Sequence, residues 1–177
     1  SNGGRVISKI AENNSDRIKR LIYVSPAGFH NPKLKPDTSE VTEIEIASFI
    51  SNRYKTIAKG QLDDFKEPSK FQGWDTKYEE LLKYKGFARA LISTTKNNYS
   101  LDTINQKIGA SDLPKYAIWG DYDKVLPLNK VQGKITRIMP NLNLFIIKDS
   151  GHLPHKEKFD DFHNIFFNKI LSDLNNE

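Results

Sequence analysis

The chain of 177 residues is 37% hydrophobic and 28% charged, the composition of an ordinary soluble globular domain. It contains no cysteine, which excludes disulfides, zinc–thiolate sites and a thiol nucleophile, and no apolar run approaches the ~18–20 residues of a membrane span. The net charge of +5 comes from Lys and Arg scattered along the chain, without a basic stripe interleaved with aromatics, so no nucleic-acid partner is expected.

Val6, Ile7, Ile10 and Ala11 recur at helical spacing and predict a helix over residues 3–14. Residues 20–25 form a short apolar run stopped by Pro26 and Gly28, which predicts a buried strand and a turn. Residues 37–92 show no convincing strand. Asp37 with Glu40 reads as a helix cap, and Ile44, Ala47, Ile50, Tyr54, Ile57 and Ala58 follow at spacings of three and four. Pro68, Gly73 and Gly86 punctuate this helical insertion, and Phe87 to Ile92 closes it as another helix. Asn97 to Gly109 reads as a polar connection with one amphipathic stretch. Lys115 to Trp119 is a predicted strand ending at Gly120-Asp121-Tyr122-Asp123. Leu128, Val131, Ile135 and Ile138 mark a helix, and Leu142 to Ile147 a strand ending at Asp149-Ser150-Gly151-His152. Phe159, Phe162, Phe166, Ile170 and Leu174 mark a terminal helix and its core face. Strand, helix, strand, helix implies crossover connections and a parallel α/β sheet.

In open α/β sheets, functional groups gather beyond the carboxyl ends of the strands. Two predicted strands end in residues of catalytic type: one delivers Asp121 and Asp123, the other Asp149 and His152. A carboxylate orients an imidazole, and the imidazole takes a proton from a hydroxyl nucleophile. Ser1 is the candidate nucleophile, because Ser1-Asn2-Gly3-Gly4 leads straight into a helix and small residues permit a sharp turn. The N–H of Asn2 is then a candidate oxyanion donor. Ser1 with a free amine also suggests an N-terminal nucleophile hydrolase, but those folds are rich in antiparallel strands, which this chain does not show.

Ser1-Asn2-Gly3-Gly4 resembles the second half of the nucleophile elbow G-x-S-x-G-G of the α/β-hydrolase family. Leu21 through Gly28 resembles that family's strand after the elbow helix, and residues 37–92 stand where the family inserts a helical cap. Leu113-Pro114 through Trp119-Gly120-Asp121-Tyr122-Asp123 and Pro127 is similar to the family's P-x-L-x-I-W-G-x-x-D-x-x-x-P segment. Pro140-Asn141 through Gly151-His152-Leu153-Pro154-His155-Lys156-Glu157 is similar to its P-N…G-H-x-P-H-x-E ending. The resemblance runs along essentially the whole chain. It implies that Asp123 is the triad acid, with Asp121 a turn residue, and that His152 is the triad base.

The resulting expectation is a parallel-sheet α/β-hydrolase fold, with core segments at 1–36 and 93–177 and a helical cap over 37–92. Three strands leave sheet edges unpaired, so further N-terminal strands are expected upstream of Ser1, and the chain alone is expected neither to fold stably nor to turn over substrate. The implied activity is hydrolysis of an ester or related acyl bond in a small apolar molecule, with no metal or organic cofactor. Haloalkane dehalogenases and epoxide hydrolases of this fold carry an aspartate at the nucleophile, so Ser1 argues against both. Carbon–carbon bond hydrolases and aminopeptidases remain alternatives, as does a non-catalytic or degenerate ligand-binding relative. Phe71, Trp74 and Tyr78 in the cap, and His155, are candidate substrate-pocket residues; the aromatic trio serves equally to pack the cap. His152 and His155 do not make a metal pair, because Pro154 separates them and no third ligand is evident. His30 and His163 are expected at the surface or on a helix. The default location is cytoplasmic, and oligomeric state is open.

Overall fold

A computed structural model describes residues 1–31 and 35–172; Leu174, assigned above to the terminal helix, lies outside them. In chain order the elements are α1 (Gly3–Asn14), β1 (Leu21–Val24), α2 (Glu43–Gly60), α3 (Trp74–Leu82), α4 (Phe87–Lys96), α5 (Asp102–Gly109), β2 (Lys115–Gly120), α6 (Gln132–Ile138), β3 (Leu142–Ile147), α7 (Pro154–Glu157) and α8 (Phe159–His163). α8 continues as π-helical turns over Asn164–Ile170. The chain makes two compact units, one from Ser1–Asn31 with Ser100–Glu177 and one from Pro32–Tyr99.

The first unit holds a parallel sheet in the order β1-β2-β3. Leu21 pairs with Lys115 and Val24 with Ile118 on one side of β2; Lys115 pairs with Leu142 and Gly120 with Ile147 on the other. The side-chain period of two sorts each strand between two cores. Leu21, Tyr23, Ala117, Trp119, Leu142 and Leu144 enter the core shared with α1, α5 and α6. Ile22, Tyr116, Ile118, Phe145 and Ile147 enter the core shared with the terminal helix. Lys115 is buried at the start of β2, where its ammonium donates to the carbonyls of Ser111 and Leu113, both at 2.7 Å. Burial pushes its pKa below the ordinary lysine value.

α1 forms where the spacing predicts, but on a different face. Gly4, Ser8 and Ala11 are buried with Ile7 packed beside them, while Val6 and Ile10 are exposed. Small residues let the helix approach the sheet closely: a Cβ on Gly4 would lie 2.5 Å from Pro26 Cβ and 2.7 Å from the Ala27 carbonyl. The Ser8 and Tyr23 hydroxyls then share a buried hydrogen bond of 2.9 Å. On the terminal helix, Ile170 is buried and Phe162 and Phe166 pack partly buried against the same core, as the spacing predicts, whereas Phe159 is exposed and Ile165 is buried in addition.

The helical unit begins its first long helix with a cap at Thr42, not at Asp37 and Glu40. The Thr42 hydroxyl accepts from the Glu45 N–H at 3.2 Å, and the Glu45 carboxylate accepts from the Thr42 N–H at 2.8 Å. Asp37 instead accepts from the Ser39 N–H at 2.9 Å in a turn. Along α2, Ile44, Ala47 and Ile50 are exposed, and Ala58 is buried with Ile46, Phe49, Tyr54 and Ile57 partly covered. Phe65 centres an aromatic cluster, stacked on Phe71 at 3.9 Å and edge-on to Trp74 at 5.4 Å. Among the described residues no helix is long and apolar enough to cross a membrane.

Candidate active site

The sheet presents two loops at its carboxyl end, from β2 and from β3, and close backbone contacts tie them together. The Asp121 N–H donates to the Ile147 carbonyl at 3.1 Å and the Tyr122 N–H to the Ser150 carbonyl at 2.9 Å. The Ser150 N–H donates back to the Asp121 carboxylate at 3.3 Å, so Asp121 is a turn residue that also ties the loops. Glu157 on α7 accepts from the Gly151 N–H and, at 3.4 Å, from the Ser150 hydroxyl. The β3 loop turns sharply at Asp149, whose φ of 57° lies in the left-handed region that short polar side chains tolerate.

This clamp brings Asp123 and His152 together, both buried. His152 Nδ1 lies 2.9 Å from Asp123 Oδ2. Asp123 Oδ1 accepts from the Val125 N–H at 3.0 Å and the Leu126 N–H at 2.8 Å. Oδ2 also accepts from the Trp119 indole at 3.1 Å. A carboxylate surrounded by donors is an acceptor only, so the proton of a neutral His152 sits on Nδ1 and the Nε2 lone pair is left for other chemistry.

Ser1 is held by its own carbonyl, which accepts from the Gly4 N–H at 3.0 Å and the Ala27 N–H at 2.8 Å. The Asn2 N–H has no acceptor among the described residues. Ser1 and His152 line one cavity of about 380 Å³ with Val24, Leu153, His155, Phe162 and Phe166. The His155 ring packs edge-on to Phe162 at 5.8 Å, and burial pushes its imidazole below the ordinary histidine value. Phe71 and Trp74 pack on Phe65, and Tyr78 packs on Phe87 at 5.9 Å, all inside the helical unit. Among the described residues no three metal-ligating side chains are gathered.

No family model and no curated protein matches the sequence. Solved structures do match. The 2-hydroxy-6-oxo-6-phenylhexa-2,4-dienoate hydrolase from Rhodococcus sp. strain RHA1 superposes with a TM-score of 0.70 at 15% identity, covering 95% of this chain and 60% of that one. A thermophilic esterase from Thermogutta terrifontis gives 0.68 at 18% identity, with 94% and 60% covered. A bromoperoxidase from Bacillus anthracis gives 0.66 at 14% identity, with 93% and 63% covered. The chain has the α/β-hydrolase fold. It spans about three fifths of the length of these structures.

In an α/β-hydrolase fold the acid and the base follow the nucleophile along the chain and stand at strand ends. Here β2 leads into Asp123, β3 leads into His152, and Ser1 stands before α1. Two residues near this pair escape a reading of the sequence. Trp119 looks like a core aromatic, yet its N–H reaches Asp123. His30, expected at the surface or on a helix, follows β1 in a loop with both ring nitrogens buried. Burial pushes its imidazole below the ordinary value, opposed by the Pro127 carbonyl and the charge of Asp123. His163 lies exposed on α8, as expected.

Proposed function

We propose that the protein is a serine hydrolase cleaving an ester or related acyl bond in a small apolar molecule, with Ser1, His152 and Asp123 as nucleophile, base and acid. The observation that carries this reading is the buried Asp123–His152 pair, whose histidine shares a cavity wall with Ser1. In the proposed reaction His152 Nε2 takes the Ser1 hydroxyl proton as Ser1 Oγ bonds to the substrate carbonyl carbon. Asp123 holds the imidazolium through Nδ1–H. The carbonyl oxygen becomes an oxyanion, and the Asn2 N–H, lacking an acceptor of its own, donates to it. The carbon–oxygen bond to the leaving group breaks, and His152 returns the proton to that oxygen. Water then attacks the acyl-serine with His152 again as base, releasing the acid and restoring Ser1. Residues 37–92 are proposed to act as the cap.

A fluorophosphonate probe, applied to the protein together with the N-terminal strands expected above, tests this reading directly. Labelling is expected on Ser1 and is expected to vanish in Ser1→Ala, with turnover reduced by about 10³-fold or more in Ser1→Ala and in His152→Ala. Equal labelling of wild type and Ser1→Ala overturns it. The likeness to a ring-cleavage-product hydrolase favours one second reading, carbon–carbon bond hydrolysis by the same residues. A panel of aryl esters and vinylogous diketones separates the two.

A further inference from the structure

Asp123 receives four hydrogen bonds, and two of the donors differ in kind from the others. Val125 and Leu126 donate from the backbone to Oδ1, and any side chain at those positions would leave them in place. Oδ2 lies between two side chains, the imidazole of His152 at 2.9 Å and the indole of Trp119 at 3.1 Å. Trp119 is fully buried on β2, four residues before Asp123, within the core that α1, α5 and α6 cover. Its N–H is shared with the Leu126 carbonyl at 2.9 Å, the same residue whose N–H holds Oδ1. The indole therefore spans the turn and grips the carboxylate from inside the core.

We propose that Trp119 is a positioning residue for Asp123, setting which oxygen faces His152 and drawing off part of that oxygen's charge. This rests on the proposed role of the Asp123–His152 pair and adds a group that does not touch substrate. The direction of the effect follows from hydrogen bonding to a charged acceptor. A neutral donor on Oδ2 takes a share of the negative charge, so less is left to stabilise the imidazolium. Removing the indole N–H concentrates that charge on the His152 contact and frees the carboxylate to rotate. The first consequence changes the strength of the Nδ1–H contact with Oδ2. The second weakens the orientation of Nε2 and slows turnover.

The test replaces the indole with a ring that has the same shape and no N–H. Benzothienylalanine at position 119, introduced in a Trp74→Phe background, keeps the packing volume, and Trp119→Phe provides the genetically simple version. NMR follows the His152 Nδ1 proton resonance. Both variants are expected to shift the Nδ1 proton signal and to lower kcat several-fold with KM little changed. Trp74→Phe alone is expected to do none of this. An unchanged Nδ1 signal in the benzothienylalanine protein overturns the proposal, whatever happens to stability. Because the NMR readout needs no turnover, it separates failure of this inference from failure of the hydrolase reading, which the Ser1 labelling decides.

Discussion

A methyl group on Gly120 would lie on the carbonyls of Ser150 and Gly151, 2.8 Å from the Ser150 carbonyl carbon, so the position admits hydrogen alone. The glycine is there for close approach: it lets the end of β2 run against the loop that carries His152. The Tyr122 to Ser150 and Asp121 to Ile147 hydrogen bonds then form with ordinary lengths of 2.9 and 3.1 Å. Gly120→Ala must push the two loops apart. Overpacking of this kind costs about 1–3 kcal/mol, and urea denaturation is expected to read a loss in that range. Turnover is expected to fall much further than stability, because a shift of about 1 Å at a reacting group costs about 100-fold. Asp121→Ala is the useful contrast. It removes only one 3.3 Å contact from the Ser150 N–H, so its loss is expected nearer about 1 kcal/mol. Equal effects of the two substitutions would mean that backbone approach is not what holds the loops.

At the scale of the element, the N-terminus of α2 shows how local chemistry sets where a helix begins. Thr42 and Glu45 satisfy each other's N–H groups, and Lys96 on α4 binds the Glu45 carboxylate at 2.8 Å and that of Asp37 at 3.3 Å. The Lys96 hydrogen bond, followed by the two from Thr42, holds the Glu45 carboxyl at about 2. A depressed carboxylate contributes stability that is present above its unfolded value and lost as pH falls through the folded one. Thr42→Ala is expected to destabilise the helical unit by about 1 kcal/mol and to speed amide exchange in the first turn of α2. Unaltered exchange there would show that the cap is not what fixes the helix start. The T-x-x-E signal at Thr42 was legible in the sequence, whereas Asp37 and Glu40 offered a decoy with a similar spacing. Spacings of three and four were enough to find α1 and α2 but not to orient them. Val6 and Ile10 are apolar yet exposed on α1, because Gly4, Ser8 and Ala11 pack tighter than larger residues would, and Ile44 and Ile50 are exposed on α2. The strand ends carrying Asp123 and His152 were equally legible, since an apolar run breaking into Gly and Asp is a local signal. The Trp119 contact depends on how the loop after β2 folds back beneath its own strand, and the burial of His30 on which loops meet in space; neither carries a sequence pattern.

At the scale of the whole molecule, two histidines in the sheet-bearing unit couple stability to pH. His30 and His155 are both pushed below the ordinary histidine value, each chiefly by burial. Around His30, Asp123 and the Pro127 carbonyl oppose the shift, while Lys130 and Lys134 add to it. Around His155, Lys156 and His152 add to it. The native state therefore resists protonation that the unfolded chain accepts at about pH 6.5. Between that pH and the lower folded values the unfolded state binds more protons, so stability falls as pH falls. Once both histidines are protonated in the native state as well, this contribution to the slope ends. A chain already at +5 gains charge over the same interval, and self-repulsion acts in the same direction. Salt distinguishes the two causes, because it screens repulsion between exposed charges and leaves desolvation of a buried ring largely intact. The thermal midpoint is expected to drop between about pH 7 and about pH 5, with most of the drop surviving high salt. Replacing both histidines by glutamine is expected to flatten that part of the profile. A slope that disappears in salt and persists in the double variant would assign the effect to net charge, leaving the buried rings without a part in it.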